Sequence, residues 1–380
     1  MNTNKAKSQW QDVLINQTDT LKNIIQASLQ QALDIEFNRH IGVDKYERGE
    51  ARNGYRNGSY ERSLSLRVGR ITLKVCRDRE GNFDQTVFER YQRSEKSLVS
   101  TIIEMYFSGV STRKVTNAVE ELCGFGVSKS HVSDLVKKID EEIAVWRNRL
   151  LLEIFKYLIF DARYEKVREN GRIVSKAFVV AIGITATGER EIIGTWVVNS
   201  ESFEAWDSCI QELKDRGLSG VEYVVTDKNK GLCHALQKHF QGVKIQRCQV
   251  HFMRNFKGKL ASSLQQEATA LLQDVFSAST RDEALRRVEK VKSFLVEKKK
   301  LDVADWLDEN IEETLTVLQL PSEHRKKMKS TNMLERVNQE LKRRSRVVRI
   351  FPNIESCLRL LTAVAMDISE EWIGTVYLKM

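Results

Sequence analysis

Proline is nearly missing from this 380-residue chain: it occurs only at Pro321 and Pro352. A proline inside a helix removes a backbone hydrogen bond and clashes with the preceding turn, so its scarcity permits long uninterrupted helices. Long apolar runs are missing too. None reaches the roughly 20 residues that a helix needs to cross a bilayer, and the opening MNTNKAKSQWQD has no apolar signal-peptide core. We therefore expect a soluble intracellular protein with no membrane partner. Paired cysteine spacing is absent as well. Cys76, Cys123, Cys209, Cys233, Cys248 and Cys357 are scattered, which argues for reduced thiols and against a disulfide framework. There is no low-complexity tract and no internal repeat.

What the chain has instead is charge. Thirty per cent of its residues are charged, and the formal net charge is +9. That balance favours an anionic partner, nucleic acid first among them. The length is enough for a sizeable core in two or three structural units.

Apolar residues recur at helical spacing from Trp10 to Phe37 and predict an amphipathic helix. The segment YERGEARNGYRNGSYERS follows, rich in Gly, Asn and Arg. Leu64, Leu66 and Val68, a turn at Gly69-Arg70, and then Ile71, Leu73 and Val75 predict a β-hairpin. Arg52 and Arg56, with Tyr55 and Tyr60 between and beyond them, suit phosphate contact and stacking, although arginine on an exposed strand is also a solubilising edge charge. Helical periodicity returns over 94–140. Two helices separated by CGFGV, the second capped by Ser128 or Ser130, give a helix-turn-helix outline. In such a motif Ser128, Lys129, Ser130 and His131 would face base edges. Any helical hairpin joined by glycine looks similar.

After Leu152 the pattern changes. Strands are predicted at 157–160, 177–184 and 191–198, then a helix at 202–215, a strand at 221–226, a helix at 231–240 and a strand at 243–250. This order is a mixed α/β sheet. Two of the strands run into an aspartate, Asp161 and Asp227. Acids at the ends of neighbouring parallel strands meet where open α/β sheets bind ligands. With a third carboxylate they would offer the hard oxygen donors that Mg2+ and Mn2+ prefer, and two such ions suit in-line displacement at phosphorus. The alternative is that each aspartate begins a turn. Glu335 is the third carboxylate to consider. It opens a helix whose far end carries Lys342, Arg343, Arg344, Arg346 and Arg349. A capping box with Asn332 at the N-cap would also explain it.

FDARYEKVREN, VVTDKNKGL, QRCQVHFMRN and STNMLERVNQELKRRSRVVRIFPN, together with the upstream blocks GYRNG, YQRSEKSLVSTIIEMYFSGVSTRKV and VSKSHVSDL, resemble the signature blocks of the bacterial Mutator-like insertion-sequence transposases. The resemblance covers nearly the whole chain. It implies a ribonuclease-H-like core, an all-helical insertion before the last acid, and an Asp-Asp-Glu triad on Asp161, Asp227 and Glu335 that binds two Mg2+ or Mn2+ ions. It also implies double-stranded DNA as partner, both terminal inverted repeats and target, and a homodimer or higher assembly on DNA. Such a protein would lie in the cytoplasm and at the nucleoid when DNA-bound.

The resulting organisation is a helix and hairpin region at 1–92 and a helix-turn-helix region at 93–150. The first part of the core would follow at 151–260, the helical insertion at 261–322 and the final part of the core at 323–380. Cys248 and His251 would support the site from a motif beside the sheet, with zinc as a weaker reading. Arg247 and Arg254 would contact DNA, and Trp306 is a candidate to stack on an unpaired base, or else a core residue. The chain departs from the resembled pattern at Asn229, where a His is common. A catalytically silent DNA-binding repressor, a domesticated transposase and a structure-specific metal-dependent nuclease remain alternative readings.

Overall fold

The computed structural model describes residues 3–44, 46–47, 52–83, 94–108, 110–123 and 125–380, with side chains from Leu21 onward. No helix among them is long and apolar enough to cross a membrane. The chain divides into two compact units, Met1–Lys138 and Ile139–Met380.

In the first unit a long helix, α1 (Thr3–Ile41), packs beside a hairpin of β1 (Arg56–Leu66) and β2 (Gly69–Asp78). Strand alternation puts Leu64, Leu66, Ile71, Leu73 and Val75 on one face, where they are buried with Leu33. The turn falls at Arg67-Val68 and not at Gly69-Arg70. Leu66 pairs with Gly69, whose φ of 117° suits glycine at the start of the returning strand. Three helices follow: α2 (Lys96–Phe107), α3 (Thr112–Cys123) and α4 (Lys129–Lys137). The Ser128 hydroxyl caps α4 by accepting the His131 amide at 3.1 Å. Gly124 of the connecting turn, residues 48–51 of the arginine-rich segment and residues 91–93 of the YQRSEKS block lie outside the described residues.

The second unit opens with α5 (Asp140–Arg147) and is built on a five-stranded mixed sheet. Its strands are β3 (Phe155–Glu169), β4 (Arg172–Thr185), β5 (Arg190–Val198), β6 (Tyr223–Thr226) and β7 (Lys244–Arg247), in the order β5-β4-β3-β6-β7. The first three form an antiparallel meander, and β6 and β7 run parallel to β3. Helices α6 (Phe203–Asp215) and α7 (Lys230–His239) cover one face, burying Trp206, Ile210, Leu232 and Leu236 against Leu158, Phe160, Val179 and Val224.

A helical stretch follows β7. It comprises α8 (Gln249–Gly258), α9 (Ser262–Phe276), α10 (Arg281–Glu297) and α11 (Leu301–Asn310), with its own core around Phe252, Phe256, Leu272, Val291 and Leu307. After α12 (Ser322–Met328), α13 (Asn332–Val348) and α14 (Ile354–Glu370) cover the other face of the sheet. Thr362 of α14 shares a 2.9 Å hydrogen bond with Thr195 of β5.

Two strand boundaries differ from the sequence expectation. Strand β3 does not stop at Asp161 but runs eight residues further, paired with residues 172–179 of β4. The extension is made mainly of charged residues, so no apolar run marks it. Its signal is the Asn170-Gly171 pair, both at positive φ (49° and 77°), the turn chemistry of a tight hairpin. Strand β7 ends at Arg247, not at residue 250, because Cys248 is already the N-cap of α8.

Candidate active site

The pairing of β3 with β6 sets the two aspartates. Tyr157 pairs with Tyr223, Leu158 with Val224 and Ile159 with Val225, a constant offset of 66 (223 − 157). Asp161 and Asp227 differ by the same 66 (227 − 161), so the register carried onward brings them level. Side chains four residues apart along a strand share a face. Asp161 therefore lies on the face of Tyr157, whose ring meets that of Tyr223 edge-on at 5.7 Å, and Asp227 directly follows the last residue of β6. Asp161 stands opposite Val180, which stands opposite Thr195. Since Thr195 bonds to α14, this is the face covered by α13 and α14.

Helix α13 forms despite its basic end. Met333, Leu334, Val337 and Leu341 make a buried stripe at helical spacing. Burying four such side chains contributes on the order of 8 kcal/mol, against at most about 1 kcal/mol for each exposed charge pair. Glu335 does not belong to a capping box. The N-cap is Thr331, and Asn332 is already inside the helix. Thr331 is committed elsewhere: its amide and hydroxyl both donate to the buried Cys248 sulfur, at 3.3 and 3.4 Å. The Glu335 carboxylate lies 3.8 Å from Arg254 of α8. One turn further along, Asn338 donates to Asp161 Oδ2 at 2.6 Å, and its carbonyl accepts from Arg163 at 2.9 Å.

Burial pushes the Asp161 carboxyl up to about 6; His251 works against the rise, while Asp227 and Glu201 add to it. Glu201 is raised in the same way, by burial and then by Asp227. Burial would also raise the Cys248 thiol, but hydrogen bonding with His251 and Thr331 overrides it and holds the thiol low. His251 is correspondingly raised by its bond to Cys248, against desolvation. Its Nδ1 is buried with no hydrogen-bond partner.

The donor chemistry fits a divalent cation. Asp161 and Asp227 are hard oxygen donors close enough for Asp227 to add to the rise of the Asp161 carboxyl, and that repulsion is what a bound cation would relieve. Glu201 couples to both from the turn before α6, while the Glu335 carboxylate of α13 lies against Arg254. Among the described residues, however, no group of three or more His, Cys, Asp or Glu side chains is placed to hold a metal ion.

Comparison with known proteins bears on this arrangement. The sequence profile described as "Transposase, Mutator family" matches residues 1–375. The chain belongs to that family. It is 43% identical to the transposase for insertion sequence element ISRM5 of Rhizobium meliloti, over 97% of this chain and 92% of that one. It is 44% identical to the transposase for insertion sequence element IS256 in transposon Tn4001 of Staphylococcus aureus, over 93% and 91%. It is also 37% identical to the transposase for insertion sequence element IS406 of Burkholderia multivorans, over 99% and 97%.

In this Mutator-family chain the other residues singled out from the sequence take varied positions. Ser128, Lys129 and Ser130 are exposed at the start of α4, and His131 is half-buried there. Arg52 stacks over Tyr55 at 4.5 Å. Arg56 is tied to Asn38 and to the Val43 carbonyl, so its guanidinium braces its own unit. Arg247 is buried and bonded to Asn310 at 3.1 Å, a bracing position too. Arg254, Lys342, Arg343 and Arg346 are exposed, although Arg343 pairs with Glu340; Arg344 is half-buried. Trp306 is partly buried in the core of the helical stretch and stacks on Phe252 at 5.0 Å, with Lys259 5.1 Å from its ring. Cys248 is fully buried.

Sequence reasoning missed Glu201 and Asn338. Asn338 could have been found from its three-residue spacing to Glu335. Glu201 sits in a stretch, Ser200-Glu201-Ser202, that reads only as a helix cap.

Proposed function

We propose that this protein is a DNA transposase that cuts at the terminal inverted repeats of an insertion sequence and joins the freed ends to target DNA. Its core is ribonuclease-H-like, a reading supported by the strand order β5-β4-β3-β6-β7 with an antiparallel meander and two parallel strands. The observation that carries the chemistry is the β3–β6 register, which runs onward to Asp161 and Asp227, together with the charge coupling of those two acids. These two carboxylates, with Glu335, would hold two Mg2+ or Mn2+ ions. When bound, such ions supply an activated oxygen nucleophile and charge stabilisation for the leaving oxygen.

The first reaction adds water across the phosphodiester at an element end, releasing a 3′-hydroxyl and leaving a 5′-phosphate. In the second, that 3′-hydroxyl attacks a target phosphodiester, one P–O bond forming as another breaks. Asn338 holds Asp161 in a fixed orientation, and Arg254 pairs with the Glu335 carboxylate at 3.8 Å. Exposed Lys342 and Arg346 suit phosphate contact. Helices α3 and α4 would read the terminal repeats in the major groove. Joining two ends requires at least a dimer on DNA.

The test is incubation of the purified protein with labelled terminal-repeat DNA, target plasmid and Mg2+. Strand-transfer products should form and should vanish in Asp161→Asn, Asp227→Asn and Glu335→Gln. Products undiminished in those variants would refute the triad. Cleavage without joining would make the protein a nuclease.

A further inference from the structure

The residue directly after Asp227 is strained. Lys228 has φ of 70°, a left-handed conformation disfavoured for side chains other than Gly, Asn and Asp. Such a conformation persists only where its surroundings over-determine it, and such residues gather at functional sites. Here the surroundings are explicit. The Lys228 ammonium donates to Asn310 Oδ1 at 2.8 Å and pairs with Glu313 at 2.7 Å. Both partners lie where the helical stretch returns to the sheet. Asn310 is itself fixed: its Oδ1 also accepts from Arg247 at 3.1 Å, and its amide donates to the Trp306 carbonyl at 2.8 Å.

The far side of the turn is fixed as well. Asn229 caps α7 by accepting the Leu232 amide at 3.0 Å and donates to Glu201 at 3.0 Å. Gly231 then passes so close to the 201–203 turn that a Cβ there would meet the Phe203 nitrogen at 2.8 Å. With Asn229 and Gly231 anchored, the conformation of Lys228 decides how the chain leaves β6, and so where Asp227 points.

We propose that Lys228 is a positioning residue. Latched to Asn310 and Glu313 at the end of the helical insertion, it holds the left-handed turn that presents Asp227, so that the insertion sets the geometry of the metal site. This rests on the metal reading of Asp161 and Asp227 given above.

Mn2+ binding to the full chain without DNA, followed by calorimetry, tests it alongside cleavage. Lys228→Ala loses the latch and keeps the strain, and should bind Mn2+ roughly tenfold more weakly. Lys228→Gly loses the latch and the strain together, and should recover most of that loss. Asn310→Ala should weaken Mn2+ binding in the Lys228 protein and add little in the Lys228→Gly background. If Lys228→Ala fails to fold, the Asn310→Ala comparison reads the same latch. Unchanged Mn2+ affinity in Lys228→Ala, or equal losses in Lys228→Ala and Lys228→Gly, would overturn the proposal. Should Asp227→Asn bind Mn2+ as the wild type does, the metal reading falls and takes this inference with it. If Asp227→Asn loses binding while Lys228→Ala keeps it, this inference falls alone.

Discussion

Asn338 and Asp161, 177 positions apart in the chain, share a 2.6 Å hydrogen bond that joins the middle of β3 to the second turn of α13. Because Glu335 lies on the turn before, that contact fixes the rotation of α13 and with it the direction in which Glu335 projects. Asn338→Ala should reduce cleavage about tenfold, the typical effect of losing one polar contact of about 1.4 kcal/mol, while shifting the melting temperature little. A cleavage rate equal to wild type would show that α13 is set by its apolar stripe alone.

Asp161 predicts a pH dependence. Its folded value of about 6 stands above the ordinary 3.8, so between those values the metal-free folded protein binds more protons than the unfolded chain. Stability contributed by this group therefore falls as pH rises through that window. Asp161→Asn should stabilise the metal-free protein at pH 7 by on the order of 1–3 kcal/mol, measured by urea unfolding. For the same reason Mn2+ affinity should decline below about pH 6, as binding must displace the Asp161 proton. A flat affinity from pH 5 to 7 would contradict this.

The Cys248 thiol is an acceptor for both polar groups of Thr331. Cys248→Ala leaves two buried donors unsatisfied at the start of α13 and should cost about 1–3 kcal/mol in a denaturant titration. Cys248→Ser keeps an acceptor and should lose less. Equal losses would mean that only volume matters at this position.

DNA affinity should fall steeply with salt, and Lys342→Ala or Arg346→Ala should each lower the slope of log affinity against log salt by about one. Arg247→Ala, whose side chain is buried against Asn310, should leave that slope unchanged while lowering stability.

Much of the second unit was legible because burial leaves a periodic trace. The meander, the two later strands and the helical stretch all appear in the spacing of apolar residues. The outer half of β3 was not legible in this way: its residues 162–169 are mostly charged and paired across the hairpin, as Lys176 is with Glu169. The turn at Asn170-Gly171 carried the information instead. The offset of 66 in the β3–β6 pairing equals the sequence separation of the two aspartates, so their relation was open to reasoning from strand order alone. Glu201 could not, since its relation to Asp227 runs through Asn229 and depends on two turns meeting. The cap of α13 was misplaced by one residue, because the group that claims Thr331 lies 83 positions away.

The two aspartates stand on unequal footings. Asp161 has six strand residues before it and eight after, and its backbone is laddered to β4 throughout. Asp227 lies beyond the last residue of a four-residue strand, exposed at the start of a loop. Amide hydrogens around Asp161 should therefore be among the slowest in the chain to exchange with solvent, and those at Asp227 and Lys228 much faster. One acid is held by its sheet and the other by the turn that follows it, so loosening the helical stretch should free Asp227 before Asp161.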